Sequence, residues 1–580
     1  MSLLLCALVS AVFATHRAQG TPPNEYACEA DRIYEGCPST GNHTGWSLSA
    51  GDWNGNGQLD VLAGGVGKWE GGLGNDNATY AAIYLDPAPS AVPGEVCTSV
   101  PDLIVLSDEN GGVGDPQGRT GDRFALSVAF VGDIDGDTRD DFVVGAPRGP
   151  FISGGGPLIQ GGWRERGRVY VFLSSDWDPG RTTTCGIPAH PSDASLVIEM
   201  PPTVTLGGTT MVTDGFRFGY AVSEAGHFLP PSTGETDRPD FAVGVPGGNE
   251  FQSPTWEGAV VVIAGEDVER HVQNPGYAQV VSLLDLAVFP KLQGRRGGAE
   301  RDRYGHSVAF AGDAQGLLPS AILVGAPQYQ VVKMPGSFGA DTHAHTGQGY
   351  VQYWPSGGTL VKLCGEADGD EFGWDVAGAD RFGSSFDLNG DFIDEVLVGA
   401  PRWDAPGAGT EDDRGRAYVF DLLQGKCTPV TVATHTGEVA GDEFGAFVGV
   451  MGHIDPSGDA VIDYAVGAIR FGIQDDEIDH DPGTGPCQDN STYCTGGDEN
   501  LGGGASGKLY LYSGTAVTSD DPFQTYQGED GKDSLGLAAV RIGDVASPPG
   551  TPTGLEDVLV AGPRYGITGF ELGRIYLFVH

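Results

Sequence analysis

Basic residues are scarce in this chain. Lys and Arg together number 32 against 78 Asp and Glu, a formal net charge of -46, and only seven of the cations are lysines. Such a surface repels polyphosphate, which excludes nucleic acid and anionic lipid as partners and favours cations or basic partners. Long hydrophobic runs are missing too. The apolar run Leu3 to Ala14 is too short to cross a bilayer, and no other stretch approaches the roughly 18 residues required. It fits a secretory signal over residues 1–20, with cleavage near Ala14 or Gly20, although the usual preceding positive charge is lacking. The sequence has no C-x-x-C, no H-E-x-x-H and no G-x-S-x-G, so the commonest zinc, metallopeptidase and serine-hydrolase signatures are absent. The one G-x-G-x-x-G, at Gly502, Gly504 and Gly507, leads into a strand pattern rather than a helix and is no dinucleotide site.

What is abundant is glycine, 94 of 580 residues, with no G-X-Y period. Glycine at this density marks many turns between short strands, so the composition points to an all-β protein. Eight cysteines remain after the signal: Cys28, Cys37, Cys97, Cys185, Cys364, Cys427, Cys487 and Cys494. An even number in an exported chain predicts up to four disulfides, with Cys28/Cys37 and Cys487/Cys494 close enough to staple local loops.

Internal repetition carries the fold. The segment from Phe124 through Asp133, Asp135, Asp137 and Asp141 to Gly145 and Pro147 recurs in variants. A phenylalanine-like residue leads, usually followed by glycine, and nine residues later comes an acidic or histidine step: Phe218 to His227, Tyr304 to Asp313, Phe444 to His453, Leu535 to Asp544. A D/E-h-h-h-G step closes each unit, as at Asp60–Gly64, Asp141–Gly145, Asp240–Gly244, Glu395–Gly399 and Asp463–Gly467. The fourth copy begins at Ala321 and the last at Asp557. Strands of the form G-r-h-Y-h-h follow, for example Gly167–Phe172, Gly415–Phe420 and Gly573–Phe578.

Seven units of this length predict seven four-stranded antiparallel sheets arranged radially, a β-propeller, which leaves only short sheet edges exposed. The expected organisation is a single propeller over 21–580, with blades near 41–100, 120–185, 212–285, 300–360, 368–428, 440–515 and 530–580. Because the last blade is one strand short, the segment around Tyr26 to Tyr34, within 21–40, is expected to complete it.

Chemistry resides in the turns. Oxygen donors recur at alternate positions in Asp52, Asn54, Asn56 and Asp60, with the carbonyl of Gln58 between; in Asp133, Asp135, Asp137 and Asp141, with the carbonyl of Arg139; and in Asp387, Asn389, Asp391 and Glu395, with the carbonyl of Ile393. A hard cation such as Ca²⁺ needs six to eight oxygens around one point, and alternating donors on a glycine-containing turn can converge there. Three in-register copies predict about three Ca²⁺ sites. Blade six, with His453 in the first place and Asp455, Asp459 and Asp463 after it, is a candidate fourth. Blades three, four and seven keep fragments only, such as Asp237 with Asp240, Asp313, and Asp544 with Asp557.

The repeats resemble the FG-GAP repeats of integrin alpha-subunit head domains. The leading pair matches at Phe218-Gly219, Tyr304-Gly305, Phe382-Gly383 and Phe444-Gly445, and the closing triplet at Gly145–Pro147, Gly325–Pro327 and Gly399–Pro401. Blade five offers two starts, Phe372-Gly373 and Phe382-Gly383. The resemblance implies a seven-bladed propeller with calcium held on its lower face by Asp52, Asn54, Asn56, Asp60 and their counterparts in blades two and five. It also implies that ligands are met on the opposite face. The thigh and calf modules of the family are not expected here, and the acidic insert Asp475–Asp481 is foreign to the pattern.

The resulting expectation is a secreted or cell-surface, calcium-binding module that recognises an extracellular protein or glycan through the variable loops 150–166, 333–348, 403–413 and 471–506. Variable loops on a rigid frame are a common recognition surface. A calcium-held component of an extracellular layer is the structural alternative. A carbohydrate-active enzyme using carboxylates in the channel is the other, with no catalytic residue to name.

Overall fold

The computed structural model describes residues 24–580 apart from 28–29, 36–41, 68–78, 89–100, 107–121, 150–164, 178–192, 207–208, 235, 248–256, 299–301, 313–319, 334–340, 346, 358–359, 380–385, 389–393, 408–411, 423–430, 457–460, 471–505, 517–518, 529–532, 546–553, 564–565, 568–569 and 572. The signal segment and the Cys28/Cys37 and Cys487/Cys494 pairs therefore lie outside the described residues, as do most of loops 150–166 and 471–506 and half of 333–348, whose Asp341–His345 forms a strand paired with Tyr329–Lys333.

Seven antiparallel sheets follow one another along the chain. Blade 1 uses Asn42–Gly51, Asp60–Gly67, Tyr80–Tyr84 and Leu103–Leu106; blade 2 uses Ser127–Gly132, Asp141–Ala146, Arg168–Phe172 and Leu196–Glu199. Blade 3 uses Val222–Gly226, Asp240–Val245, Ala259–Ile263 and Gln293–Arg296, and blade 4 uses Val308–Phe310, Ala321–Ala326, Tyr350–Pro355 and Val361–Cys364. Blade 5 takes Val376–Ala377, Val396–Ala400, Arg416–Phe420 and Thr431–Thr436; blade 6 takes Phe444–Gly452, Asp463–Ala468, Lys508–Tyr512 and Gln524–Gln527. Blade 7 combines Ala539–Arg541, Val558–Gly562 and Arg574–Phe578 with Arg32–Glu35, which pairs antiparallel to the last of these. Each first strand touches the first strand of the next blade, and blade 7 touches blade 1, so the sheets form a closed ring.

The second strands read as unbroken apolar runs because both of their faces are covered: all six residues are buried in Asp141–Ala146, Asp240–Val245, Ala321–Ala326 and Asp463–Ala468. Alternate side chains point to opposite neighbours. Phe142 and Val144 join Leu62, Ile83 and Val105 of blade 1, whereas Val143, Val169 and Val171 join Phe241 and Val243 of blade 3. Seven apolar clusters among the described residues occupy the seven blade interfaces in this way. Full burial of a side chain of this size is worth about 1.5–3 kcal/mol, so the core is distributed between blades rather than inside any one of them.

The repeat motif has a packing explanation. A Cβ on the closing Gly145 would lie 2.1 Å from the carbonyl oxygen of Gly219 in the next blade, and the same approach recurs from Gly244 to Gly305, Gly325 to Gly373, Gly399 to Gly445 and Gly467 to Gly536. Only a residue without a side chain lets neighbouring backbones meet this closely. The leading position is equally constrained: Arg123, Arg217, Arg303, Glu371, Glu443 and Ser534, each just before the aromatic or leucine, all have φ between 50° and 60°.

This geometry settles the start of blade 5. Gly349 bridges to Phe372 just as Gly167 bridges to Phe218, Gly258 to Tyr304 and Gly415 to Phe444. Phe372-Gly373 is thus the leading pair, and Phe382-Gly383, outside the described residues, belongs to the lengthened segment before Asp387. Each fourth strand of blades 1 to 6 also falls past the limit drawn from the repeats, for example Leu103–Leu106 beyond 100 and Gln524–Gln527 beyond 515. These outermost strands carry no motif, since they pack on the rim and not between backbones.

Two short segments add a fifth, parallel strand: Val280–Ser282 on the outer edge of blade 2 and Asn24–Tyr26 on that of blade 6. Each immediately precedes the outer strand of the following blade, so each ties two blades together. No helix among the described residues is long and apolar enough to cross a membrane.

Candidate metal centre

The turn between the first two strands of blade 2 is organised by its own side chains. Asp133 accepts the backbone N–H groups of Gly136, Asp137 (3.1 Å) and Thr138 (3.0 Å); Asp135 accepts that of Asp137 at 3.2 Å, and Asp137 that of Arg139 at 2.9 Å. Short acidic side chains bind backbone two to five residues ahead in this way, which is why such residues populate tight turns. The turn of blade 1 repeats the pattern: Asp52 accepts from Gly55, Asn56 and Gly57 at 2.7–3.0 Å, Asn54 from Asn56 at 3.0 Å, and Asn56 from Gln58 at 2.7 Å.

Folding the turn back brings one carboxylate oxygen from each of Asp133, Asp135 and Asp141 within 4.8 Å of one another. Ligands on opposite sides of a Ca²⁺ ion, each about 2.4 Å from it, are separated by about that distance, so the donor set fits a hard cation. Asp137 is placed differently from the spacing's expectation. Its carboxylate takes the Nε of Arg139 at 2.8 Å and the hydroxyl of Ser174 at 3.0 Å. The Arg139 side chain is thereby occupied as an ion-pair partner, which leaves its backbone carbonyl as the group it could offer a metal.

The acid that opens the second strand has a second duty. One oxygen of Asp141 accepts the N–H of Ile134 in the turn at 2.7 Å, and the other accepts that of Ser174, just beyond the third strand, at 2.8 Å. Asp60 bridges Trp53 and Asp86 at 2.9 Å each, Asp463 bridges Ile454 and Gly514, and Asp557 bridges Val545 and His580. Asp240 does the same for Leu229 and Gly265 in blade 3, where the turn lacks the alternating donors. Burial pushes Asp60 up to about 7, Asp141 and Asp240 up to about 8, Asp463 to about 6 and Asp557 to about 7, backbone N–H bonds opposing the rise. Asp135 is raised as well, by burial first and then by Asp137 and Asp133. Carboxylates crowded together and withdrawn from water are stabilised by a cation.

Three groups at these turns went unseen in the sequence. Asp86 reaches the blade 1 turn, accepting the amide of Asn56 at 2.6 Å, and Ser174 and Ser175 reach Asp137 and Asp135 in blade 2. They follow the third strand, far from the turn in sequence, and the available signal was an oxygen-bearing residue two or three places after that strand ends.

The remaining candidates divide. In blade 5, Asp387 and Glu395 are described, Glu395 accepting the N–H of Leu388 at 2.6 Å, while Asn389, Asp391 and Ile393 lie outside the described residues. In blade 6, Asp463 accepts the N–H of Asp455 at 2.8 Å, His453 Nδ1 meets the carbonyl of Val461 at 3.1 Å, and Asp459 lies outside the described residues. In blade 3, Asp237 contacts His227 at 3.2 Å.

Neighbouring turns are joined. Asp52 and Asp140 exchange two bonds, Asp52 N–H to the Asp140 carboxylate at 2.7 Å and Asp140 N–H to the Asp52 carbonyl at 2.9 Å, and His453 with Glu556 repeats the link between blades 6 and 7. The candidate sites therefore belong to one continuous face of the ring.

Among solved structures, the chain is similar to an exotype rhamnogalacturonan lyase, YesX, at 12% identity and a TM-score of 0.34, covering 92% of this chain and 72% of that one. The rhamnogalacturonan lyase PL11 of Bacillus licheniformis gives 13%, 0.34, 92% and 71%, and the rhamnogalacturonan lyase YesW 11%, 0.36, 92% and 71%. No curated protein matches the sequence. Residues 124–172, running from the leading phenylalanine of blade 2 through the three-carboxylate turn to the end of its third strand, match the FG-GAP repeat, and the chain is a seven-bladed propeller that carries this repeat.

Proposed function

We propose that this protein is an exported, calcium-binding propeller whose metal-loaded turns stiffen one face of the ring and whose variable loops offer a recognition surface for an extracellular protein or glycan. The convergence of Asp133, Asp135 and Asp141 oxygens within 4.8 Å carries the metal part of this reading. The blade 1 turn, with the same backbone bonds, is the first site along the chain, the blade 2 turn the second, and Asp387 with Glu395 marks the third. When bound, the cation would neutralise carboxylates that otherwise repel one another across a turn joining two strands. Calcium at extracellular concentration suits turns of this exposure, since modules outside the cell bind it at about 10⁻⁴–10⁻³ M. Recognition is supported by a rigid closed ring bearing long loops of unequal length.

The test is metal analysis of the purified chain with melting curves before and after chelation, followed by protein and glycan arrays in both states. About three equivalents of calcium, a lower melting temperature without it, and calcium-dependent capture are expected. Absence of metal from folded protein, with an unchanged melting curve, would refute the calcium reading. Absence of capture by folded, loaded protein would refute recognition and leave the cation a purely structural part.

A further inference from the structure

The blade 2 turn has a cation beside it already. Arg238 of blade 3 lays its guanidinium over Gly136, in the middle of the turn: a Cβ on that glycine would fall 2.1 Å from Nη2 and 2.8 Å from Cζ. The hydrogen bond that fixes the guanidinium there comes from outside the turn. Glu269, on the helix Gly265–Val272, accepts from Nη2 at 2.8 Å, with both side chains mostly buried, and the Arg238 N–H meets Glu266 at 3.4 Å. That helix is itself anchored, its first N–H given to Asp240 and Val268 fully buried. Arg238 senses the turn electrostatically: after Glu269, the charges of Asp133 and Asp135 help to hold its proton. Blade 1 is treated differently. There the covering residue is Arg139, which lays only its aliphatic stem on Gly55, its Cγ 2.7 Å from where a Cβ on that glycine would stand, while its charged head is held by Asp137.

We infer that Arg238, positioned by Glu269, is a built-in competitor that sets the cation affinity of the blade 2 turn. Its charge offsets part of the carboxylate repulsion when the turn is empty and opposes a divalent ion when the turn is filled. The inference rests on the calcium reading given above. It predicts opposite signs for two variants of one ion pair. Arg238→Ala removes the opposing charge and should tighten the second site on the order of tenfold, whereas Glu269→Gln leaves the guanidinium uncompensated and should weaken it several-fold. Arg238→Lys, which keeps the charge, should stay close to the unchanged protein.

Calorimetric titration of the full chain with CaCl₂ reads this directly, the heat lost in Asp135→Ala identifying the second site. Circular dichroism and melting curves confirm that each variant is folded. If both Arg238→Ala and Glu269→Gln weaken binding, the pair is merely a structural brace and the inference falls. Equal affinity in all variants overturns it as well, with the calcium reading intact. No calcium heat in the unchanged protein overturns both together.

Discussion

Blades 2 and 3 open their second strands with the same residue, buried and hydrogen-bonded alike, and differ in the turn that precedes it. Asp141 and Asp240 are both completely buried, and each joins the preceding turn to the residue just beyond the third strand. Around Asp141 stand Asp133 and Asp135; the equivalent turn in blade 3 has His227 facing Asp237, and a helix follows its third strand. The shared acid is therefore architectural. The converging carboxylates are an addition made by the turn, so an acid at the head of the second strand does not by itself mark a candidate metal site.

The strongest way to break that distinction is Asp141→Ala, which removes both duties at once. It should cost about 3–5 kcal/mol, because two buried N–H groups lose their acceptor, and one equivalent of calcium should disappear from metal analysis. Asp240→Ala should be nearly as damaging, about 2–4 kcal/mol by denaturant melts, yet leave the metal content unchanged. A matching loss of calcium there would show that blade 3 supports the site in blade 2. Asp135→Ala isolates the other duty: stability without calcium should stay within about 1 kcal/mol, while the gain on adding calcium shrinks by about 2–3 kcal/mol at concentrations near a hundred times the dissociation constant.

A separate effect is one of pH. Asp240 sits at about 8 in the fold against an ordinary value of 3.8, so the folded chain holds a proton that the unfolded chain releases. That contribution is complete below about pH 4 and is lost as pH rises towards 8. Asp240→Asn does not titrate, so its deficit relative to the unchanged protein should be largest near pH 4 and narrow towards pH 8, with or without calcium. A deficit that widens towards pH 8 would show that the two N–H bonds outweigh burial and keep Asp240 ionised.

How much of this was legible in the sequence depends on whether backbone or side chain fixed the position. The closing glycines were, because a second backbone sits where their side chains would be. The leading pair was harder to place: Ala125 occupies the glycine place of blade 2 with φ at 62°, and Thr44-Gly45 opens blade 1, so a search for phenylalanine and glycine passes over both. Arginine and glutamate in the left-handed region were invisible, since that conformation costs a side-chain-bearing residue about 1–2 kcal/mol and no local pattern announces it. Leu103–Leu106 and Gln293–Arg296 hold the same place in their blades and share no pattern, because the first is buried and the second largely exposed. In the turns, the spacing pointed to Asp133, Asp135 and Asp141 but could not foresee that Arg139 would claim Asp137, which depends on a side chain choosing between a neighbour and solvent.

The pairing of Arg32–Glu35 with Arg574–Phe578 has a kinetic meaning. At this seam Asp31 gives its N–H to Leu577 at 2.8 Å and accepts that of Val579 at 2.8 Å, across 548 residues of chain. A stack of repeats can grow from any nucleus and fray from either end, but a hoop has no ends from which to fray. Its final stave cannot be set until the chain's most distant partners meet, and the entropy of that closure is charged to the forward reaction alone. Once shut, the seven staves hold one another under a common hoop, so unfolding must begin by parting a seam rather than by peeling a blade.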